Sequence, residues 1–347
     1  MMTSRETMQG DCSPSAVEEL KPLTIMGDIY GLFQPLALLA GMRLDLFTPL
    51  KGGALTAGEL ALALGVREDK LQPVLYPLLV AGLLKMENEK FANSEEAAKF
   101  LVRGEPDYIG GLGDFYSALA DMSLKTAESV RTGRPQAKHD FDSLPDDQLS
   151  AYFQKQIHSS LKAGREIAER IDFSEFGRIL DAGGGSGGVS IAVCSRHPHL
   201  KATVADLPRV AALAERFIGE AGLSGRIAAS AVDLCSGPPL GRYDAVIVRA
   251  LIQTLSLDEA RLALQNIGRS LCSGGRIFIL GNVLDDSRLG PPAALAFGLV
   301  FINTYEHGQA YTEKEYRGML GEAGFGDIAI VHEALSDGLS LVSAVKE

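Results

Sequence analysis

Two rhythms of apolar and polar residues divide this chain. From about residue 176 onward, short apolar runs alternate with longer segments in which apolar residues recur at helical spacing. The runs predict strands over 177–181, 201–206, 226–232, 243–248, 275–281, 326–331 and 339–345, and Pro238-Pro239 and Pro291-Pro292 punctuate the loops. Strands alternating with helices in this way predict a doubly wound α/β sheet. Between Leu23 and Val102 the rhythm differs: three helices, a short hairpin and a fourth helix. Leu32–Leu46 is apolar around much of its circumference. Thr56 and Glu59 form a capping-box pattern that opens a helix, and Gly65 closes it. A second amphipathic helix covers Leu71–Ala81, with Gly82-Leu83-Leu84 and Lys90-Phe91 as the arms of a wing, so the pattern is that of a winged helix. Residues 106–172 read as helical, interrupted by a turn-rich connector from Thr132 to Asp147. Residues 1–20 are polar and predict a mobile extension. The expected divisions are therefore 1–20, 21–105, 106–172 and 173–347.

Composition narrows what these parts do. A chain of 347 residues suits two domains. Lys and Arg number 33 against 44 Asp and Glu, a net charge of −11 that opposes nonspecific binding to nucleic acid or an anionic membrane. The helix that would enter DNA carries few basic residues, so the winged helix reads as a dimerisation module rather than a DNA reader. Burial of Leu32–Leu46 against a second subunit accounts for its apolar circumference. Cys12, Cys194, Cys235 and Cys272 show neither metal-ligand spacing nor a disulfide framework, which suggests a reducing cytoplasm. The first residues lack an apolar signal core, and no apolar run reads as long enough to span a bilayer.

The chemistry concentrates at Asp181-Ala-Gly-Gly-Gly-Ser-Gly-Gly188, which follows an apolar strand and opens a helix. Glycines there allow a sharp turn and a close backbone approach to a ligand. Asp206 ends the next strand, where a carboxylate can take both hydroxyls of a ribose. The glycines at 183, 185 and 187 depart from the dinucleotide spacing and follow an acid at 181. Asp181 would repel a pyrophosphate but not the cationic end of S-adenosylmethionine.

In combination these stretches resemble the S-adenosylmethionine-dependent small-molecule O-methyltransferases of the caffeate and hydroxyindole type, from about residue 25 to the end. Asp181–Gly187 resembles the family's glycine loop, Asp206-Leu207-Pro208 its ribose-binding step, and Val232-Asp233-Leu234 its step beside the adenine. Gly274-Gly275-Arg276 resembles the turn before the fifth strand, and Gly308–Thr312 with Ala323-Gly324-Phe325 the closing segment. The resemblance implies a Rossmann-like sheet behind an all-helical winged-helix dimerisation domain, a homodimer, S-adenosylmethionine as cofactor and no metal. It places Asp181, Gly183 and Gly185 along the methionine part and Asp206 with Leu207 at the ribose. It places Asp233 and Leu234 at the adenine, and Arg249, where the family has Lys, at the closure of the site. Read alone, Asp233 is a solvated strand-end acid and Arg249 a surface ion pair.

The departures bear on the acceptor. The family's phenol methylators carry a His four residues after that Lys, flanked by two Glu; this chain has Gln253, Gly281 and Ala310 there. A Gln amide takes no proton near neutral pH, so the general base is missing. That shifts the expected acceptor toward an atom with a free lone pair or an activated carbon. The expected reaction is S-methylation of a thioether hydroxy acid, 4-methylthio-2-hydroxybutyrate, with C-methylation of a tetrapyrrole as an alternative. The chain resembles two base-free subgroups that carry these reactions, the methylthiohydroxybutyrate S-methyltransferases and the bacteriochlorophyllide C-20 methyltransferases, the latter around Asp114–Tyr116 and Tyr152–His158. Aromatic faces steady a sulfonium product. The expected pocket therefore comprises Tyr116, Tyr152, Phe153, Phe301 and Tyr305 with His158 and Asn303, ordinary core packing being the alternative for the aromatics. Arg134, Lys155 or His158 would meet a carboxylate. The catalytic candidates are Gln253 and His307, the latter as a displaced base that would restore O-methylation. A winged-helix regulator that senses S-adenosylmethionine is the reading from another class, and the acidic charge opposes it.

Overall fold

The computed structural model describes residues 21–138, 141 and 143–347; the extension expected over residues 1–20 lies outside them. The chain divides into two units, one up to Ala118 and one from Leu119 to Glu347. The first opens with α1 (Leu23–Gly31) and α2 (Phe33–Arg43), followed by β1 (Leu55–Thr56), α3 (Ala57–Leu64), α4 (Glu68–Val80), β2 (Leu84–Glu87), β3 (Lys90–Asn93) and α5 (Glu95–Phe100). The capping box forms as expected: Thr56 accepts from the Glu59 N–H and Glu59 from the Thr56 N–H, and Gly65 ends α3 at φ 66°. The unit is not all helical. The wing hairpin acquires a third strand, because Leu55 pairs with Phe91 and gives a β1-β3-β2 sheet. Leu46, Phe47, Leu60, Leu71, Leu75 and Leu78 form its buried core.

Leu32, between α1 and α2, keeps helical torsions (φ −58°, ψ −35°). Leu23–Arg43 is therefore a 21-residue stretch long and apolar enough, by length and composition, to cross a membrane. This corrects the expectation that no such run exists. Leu23, Ile25, Ile29, Tyr30, Leu32 and Phe33 are all exposed along it.

α6 (Gly113–Ser123) spans the division between the units, and α7 (Thr126–Thr132) and α8 (Asp146–Arg170) follow. The α/β part then runs β4 (Arg178–Ala182), α9 (Gly188–Arg196), β5 (Lys201–Asp206), α10 (Pro208–Glu220), β6 (Ile227–Ala231), β7 (Tyr243–Arg249), α11 (Leu257–Ser270) and β8 (Leu271–Gly281). It ends with β9 (Val283–Leu284), α12 (Pro292–Thr304), β10 (Tyr311–Thr312), α13 (Glu313–Glu322), β11 (Phe325–Val331) and β12 (Ser340–Lys346). Seven strands form one sheet in the order β11-β12-β8-β7-β4-β5-β6, in which only β12 runs against its neighbours. The order reverses beside β4, the topological switch point at which such sheets bind ligands. β8 begins at Leu271 rather than at residue 275, because Leu271 already pairs with Tyr243 ahead of an irregularity in the ladder.

Two glycines let α8 lie close against α9. A Cβ on Gly188 would come within 2.7 Å of the Ser160 Cβ, and one on Gly164 within 2.8 Å of the Val189 carbonyl. The long helix is thereby held beside the glycine loop.

Candidate active site

The site grows from the C-terminal ends of β4 and β5. Gly183 and Gly185 adopt φ 67° and 57°, values that favour glycine. A Cβ on Gly183 would lie 2.9 Å from Leu251 and one on Gly185 3.1 Å from the Phe153 ring. Asp181 is wholly buried, and its Oδ2 accepts from the Ser190 N–H (3.2 Å) and hydroxyl (2.9 Å) at the start of α9. Its Oδ1 has no partner. Burial raises its carboxyl to about 6; the Ser190 bonds oppose that rise and Asp206 adds to it. Asp206 accepts from the N–H groups of Gly185 (2.8 Å) and Leu207 (2.7 Å), and burial pushes it up as well. Two desolvated acids beside a cradle without side chains favour a cationic, hydroxyl-bearing ligand over an anionic one.

Arg249 ends β7. Its Nη2 donates to the Ser159 hydroxyl (2.9 Å) and to Asp337 Oδ2 (3.3 Å), while its Nε is buried without a partner. The ion pair foreseen as the alternative thus exists, with the Arg249 side chain only 15% exposed. Asp233 is exposed and shapes its own turn, accepting from the Cys235 N–H (2.9 Å) and the Ser236 hydroxyl. Leu234 is buried among Leu264, Ile252 and their neighbours rather than along an open face, and its carbonyl accepts from Asn266 (2.8 Å).

The three positions of the missing acid–base cluster meet. Gln253 sits in a 3-10 turn after β7, and its carbonyl accepts from the Gln309 N–H at 2.9 Å. A Cβ on Gly281 would lie 2.7 Å from Gln253 Oε1. Tyr311 pairs with Val283, which sets buried Ala310 beside that end of β8. Gln253, Gly281 and Ala310 bring no ionisable side chain. Tyr316 of α13 does reach the spot, its hydroxyl 3.3 Å from the Gly281 Cβ position. Sequence reasoning missed it, since a Tyr on an amphipathic helix reads as core. His307 is exposed and lines a cleft of about 480 Å³ with Arg134, Leu257, Tyr305 and Glu306.

The expected pocket residues separate into several roles. Phe153 packs over Gly185, with Tyr152 edge-on to it at 5.3 Å. The Tyr152 hydroxyl accepts from Gln156 at 2.6 Å, and burial raises its ionisation far above the usual range. Burial pushes the Tyr305 hydroxyl up to about 12. Phe301 packs at 6.3 Å from Tyr305. His158 and Lys155 are exposed on α8. Asn303 is 0% exposed and tied up in a knot: Oδ1 accepts from Ser129 (2.7 Å), and Nδ2 donates to Thr126 (2.9 Å) and the Leu299 carbonyl (2.7 Å). It joins α7 to α12, and its side-chain bonds are made inside the protein. Tyr116 lies on α6 in the first unit, its ring 5.3 Å from that of Phe115. Among the described residues no group of His, Cys, Asp and Glu could hold a metal ion.

A seven-stranded sheet of this order, a glycine cradle with room only for hydrogen, an acid with a free lone pair and a second acid one strand over define an S-adenosylmethionine-dependent methyltransferase. The chain belongs to the O-methyltransferase family, whose domain matches residues 129–326, more than half of its length. It is 32% identical over 335 residues to the 3-hydroxy-5-methyl-1-naphthoate 3-O-methyltransferase of Streptomyces sahachiroi, covering 93% of this chain and 95% of that one. It is 30% identical to the N,N-dimethyltransferase OxyT of Streptomyces rimosus, with 84% and 87% covered. Human N-acetylserotonin methyltransferase, solved with S-adenosylmethionine, shares the fold at a TM-score of 0.74 and 21% identity, covering 95% of this chain and 99% of that one.

Proposed function

We propose that the protein methylates a hydroxyl of a fused aromatic acid and does so without a general base of its own. The observation that carries this reading is the meeting of Gln253, Gly281 and Ala310 with no ionisable side chain among them. S-adenosylmethionine, when bound, supplies a methyl group already activated on a sulfonium sulfur. The chain's residues bind and orient. The loop at Gly183 and Gly185 admits the methionine part, and Asp181 Oδ1 meets its ammonium. Asp206 takes the ribose hydroxyls beside Leu207, Asp233 borders the adenine, and Arg249 closes the site from β7.

Orientation alone supplies about 7–11 kcal/mol in favourable cases. A base is then dispensable if the hydroxyl arrives ionised, which an acidic aromatic hydroxyl does far more readily than a carbinol. Tyr152, Phe153 and Tyr305 offer an aromatic wall to such a ring, and the hydroxynaphthoate named for the 32% identical relative supports the class. The thioether hydroxy acid expected from the missing base has no counterpart in the names of the relatives described above. The test is incubation with S-adenosylmethionine and either hydroxynaphthoates of graded acidity or 4-methylthio-2-hydroxybutyrate, read by mass spectrometry. A methoxynaphthoate supports the reading; a sulfonium product with no methylated naphthoate refutes it.

We also propose a cytoplasmic homodimer formed through Leu23–Arg43, whose exposed apolar side chains are suited to burial against a second copy. A monomer in sedimentation at micromolar concentration would refute this.

A further inference from the structure

Two buried polar atoms beside the base-free centre have no hydrogen-bond partner: Gln253 Oε1 and the Tyr316 hydroxyl. Gln253 is 4% exposed and Tyr316 not at all. They come from separate elements, the turn after β7 and α13, yet both flank Gly281, whose Cβ position would lie 2.7 Å from one and 3.3 Å from the other. Apart from this edge Tyr316 is core, with its ring edge-on to Tyr311 at 6.2 Å. Leaving either atom unsatisfied is costly. Because residue 281 has no side chain, the space between them stays open.

We propose that Tyr316 is a positioning residue for Gln253: its hydroxyl donates to Oε1 across Gly281 and so holds the amide Nε2 outward, toward the acceptor oxygen. A carboxamide held this way is a fixed donor. A fixed donor favours an acceptor oxygen that carries charge over a protonated hydroxyl, so the pair selects phenolates. The pair thus takes the place of the missing base by recognising the ionised acceptor rather than by ionising it. This selectivity rests on the reading of Gln253 as facing the acceptor.

The first test needs no acceptor. Urea unfolding of the full chain is compared for wild type, Gln253→Ala, Tyr316→Phe and the double variant. A coupling of about tenfold in the unfolding constant is expected. Additive effects overturn the pair. The second test uses a hydroxynaphthoate that the wild type turns over. Tyr316→Phe should lower kcat about tenfold and move the midpoint of the kcat pH profile, which reports the bound acceptor, upward by about one unit, with affinity for S-adenosylhomocysteine unchanged. An unmoved midpoint with an unmoved kcat overturns the selectivity. Gly281→Ala, whose methyl would wedge between the two atoms, should shift the profile in the same direction if Tyr316→Phe does not fold. If no aromatic hydroxyl is methylated at all, the proposed function fails while the unfolding cycle still decides the pair.

Discussion

Replacing Asp181 with Asn should make the ligand-free protein gain stability on the wild type as the pH rises, while weakening its grip on the cofactor. The carboxyl is wholly buried, and burial raises it from 3.8 to about 6 in spite of the two Ser190 bonds. A raised group holds more protons folded than unfolded. Its contribution to stability is therefore complete below its unfolded value and is lost as the pH climbs through about 6. Above that, the native protein carries a buried charge at a cost of about 3 kcal/mol, from 1.36 kcal/mol per pKa unit. Asn brings no charge, and its carbonyl oxygen can still accept from Ser190. Its NH₂ falls where Oδ1 has no partner, and an unpaired buried donor costs about 1–3 kcal/mol at every pH. The difference at any one pH therefore mixes two effects, but the change with pH isolates the charge. Between about pH 4.5 and about pH 7.5 the variant should gain roughly 2 kcal/mol on the wild type, from the same linkage relation. Urea unfolding of both proteins at both pH values measures this, and the carboxylates remote from Asp181, common to both, cancel. A gap that stays constant, or that widens in favour of the wild type, refutes the burial argument. Calorimetry with S-adenosylmethionine should show the same variant binding about tenfold more weakly or worse, because the charge-assisted contact to the ammonium is gone.

Gly185→Ala places a Cβ 3.1 Å from Phe153 on a backbone at φ 57°, so a loss of about 1–2 kcal/mol is expected together with weaker S-adenosylhomocysteine binding. Unchanged melting and unchanged calorimetry would contradict it. Asn303→Ala removes the acceptor of the buried Ser129 hydroxyl and one donor to Thr126, and chemical unfolding should show a loss of about 1–3 kcal/mol; normal stability with a raised acceptor KM would instead put Asn303 in contact with the acceptor. His307→Ala should keep more than about half of kcat, because the ring lies exposed on the cleft wall. A loss of tenfold or more would reinstate His307 as the base.

Local patterning was enough for the strands, the glycine loop and the two acids at 181 and 206, because a short apolar run, a capping box or a glycine turn is written in neighbouring residues. The blanks at Gln253, Gly281 and Ala310 were legible too, though only through the resemblance. Other features depended on packing between distant segments. Leu55 joins the wing because a strand edge at Phe91 is open to it. Asn303, expected to face the acceptor, spends its bonds on α7, more than 170 residues earlier. Leu234, expected on the adenine ring, turns into the core. The pairing of Gln253 with Tyr316 rests on an empty space at Gly281 that no one-dimensional pattern records. Hydrogen-bond partners and voids arise where separate elements meet, so the cofactor could be read from the chain, whereas the environment that receives its methyl group is defined only by how the elements pack.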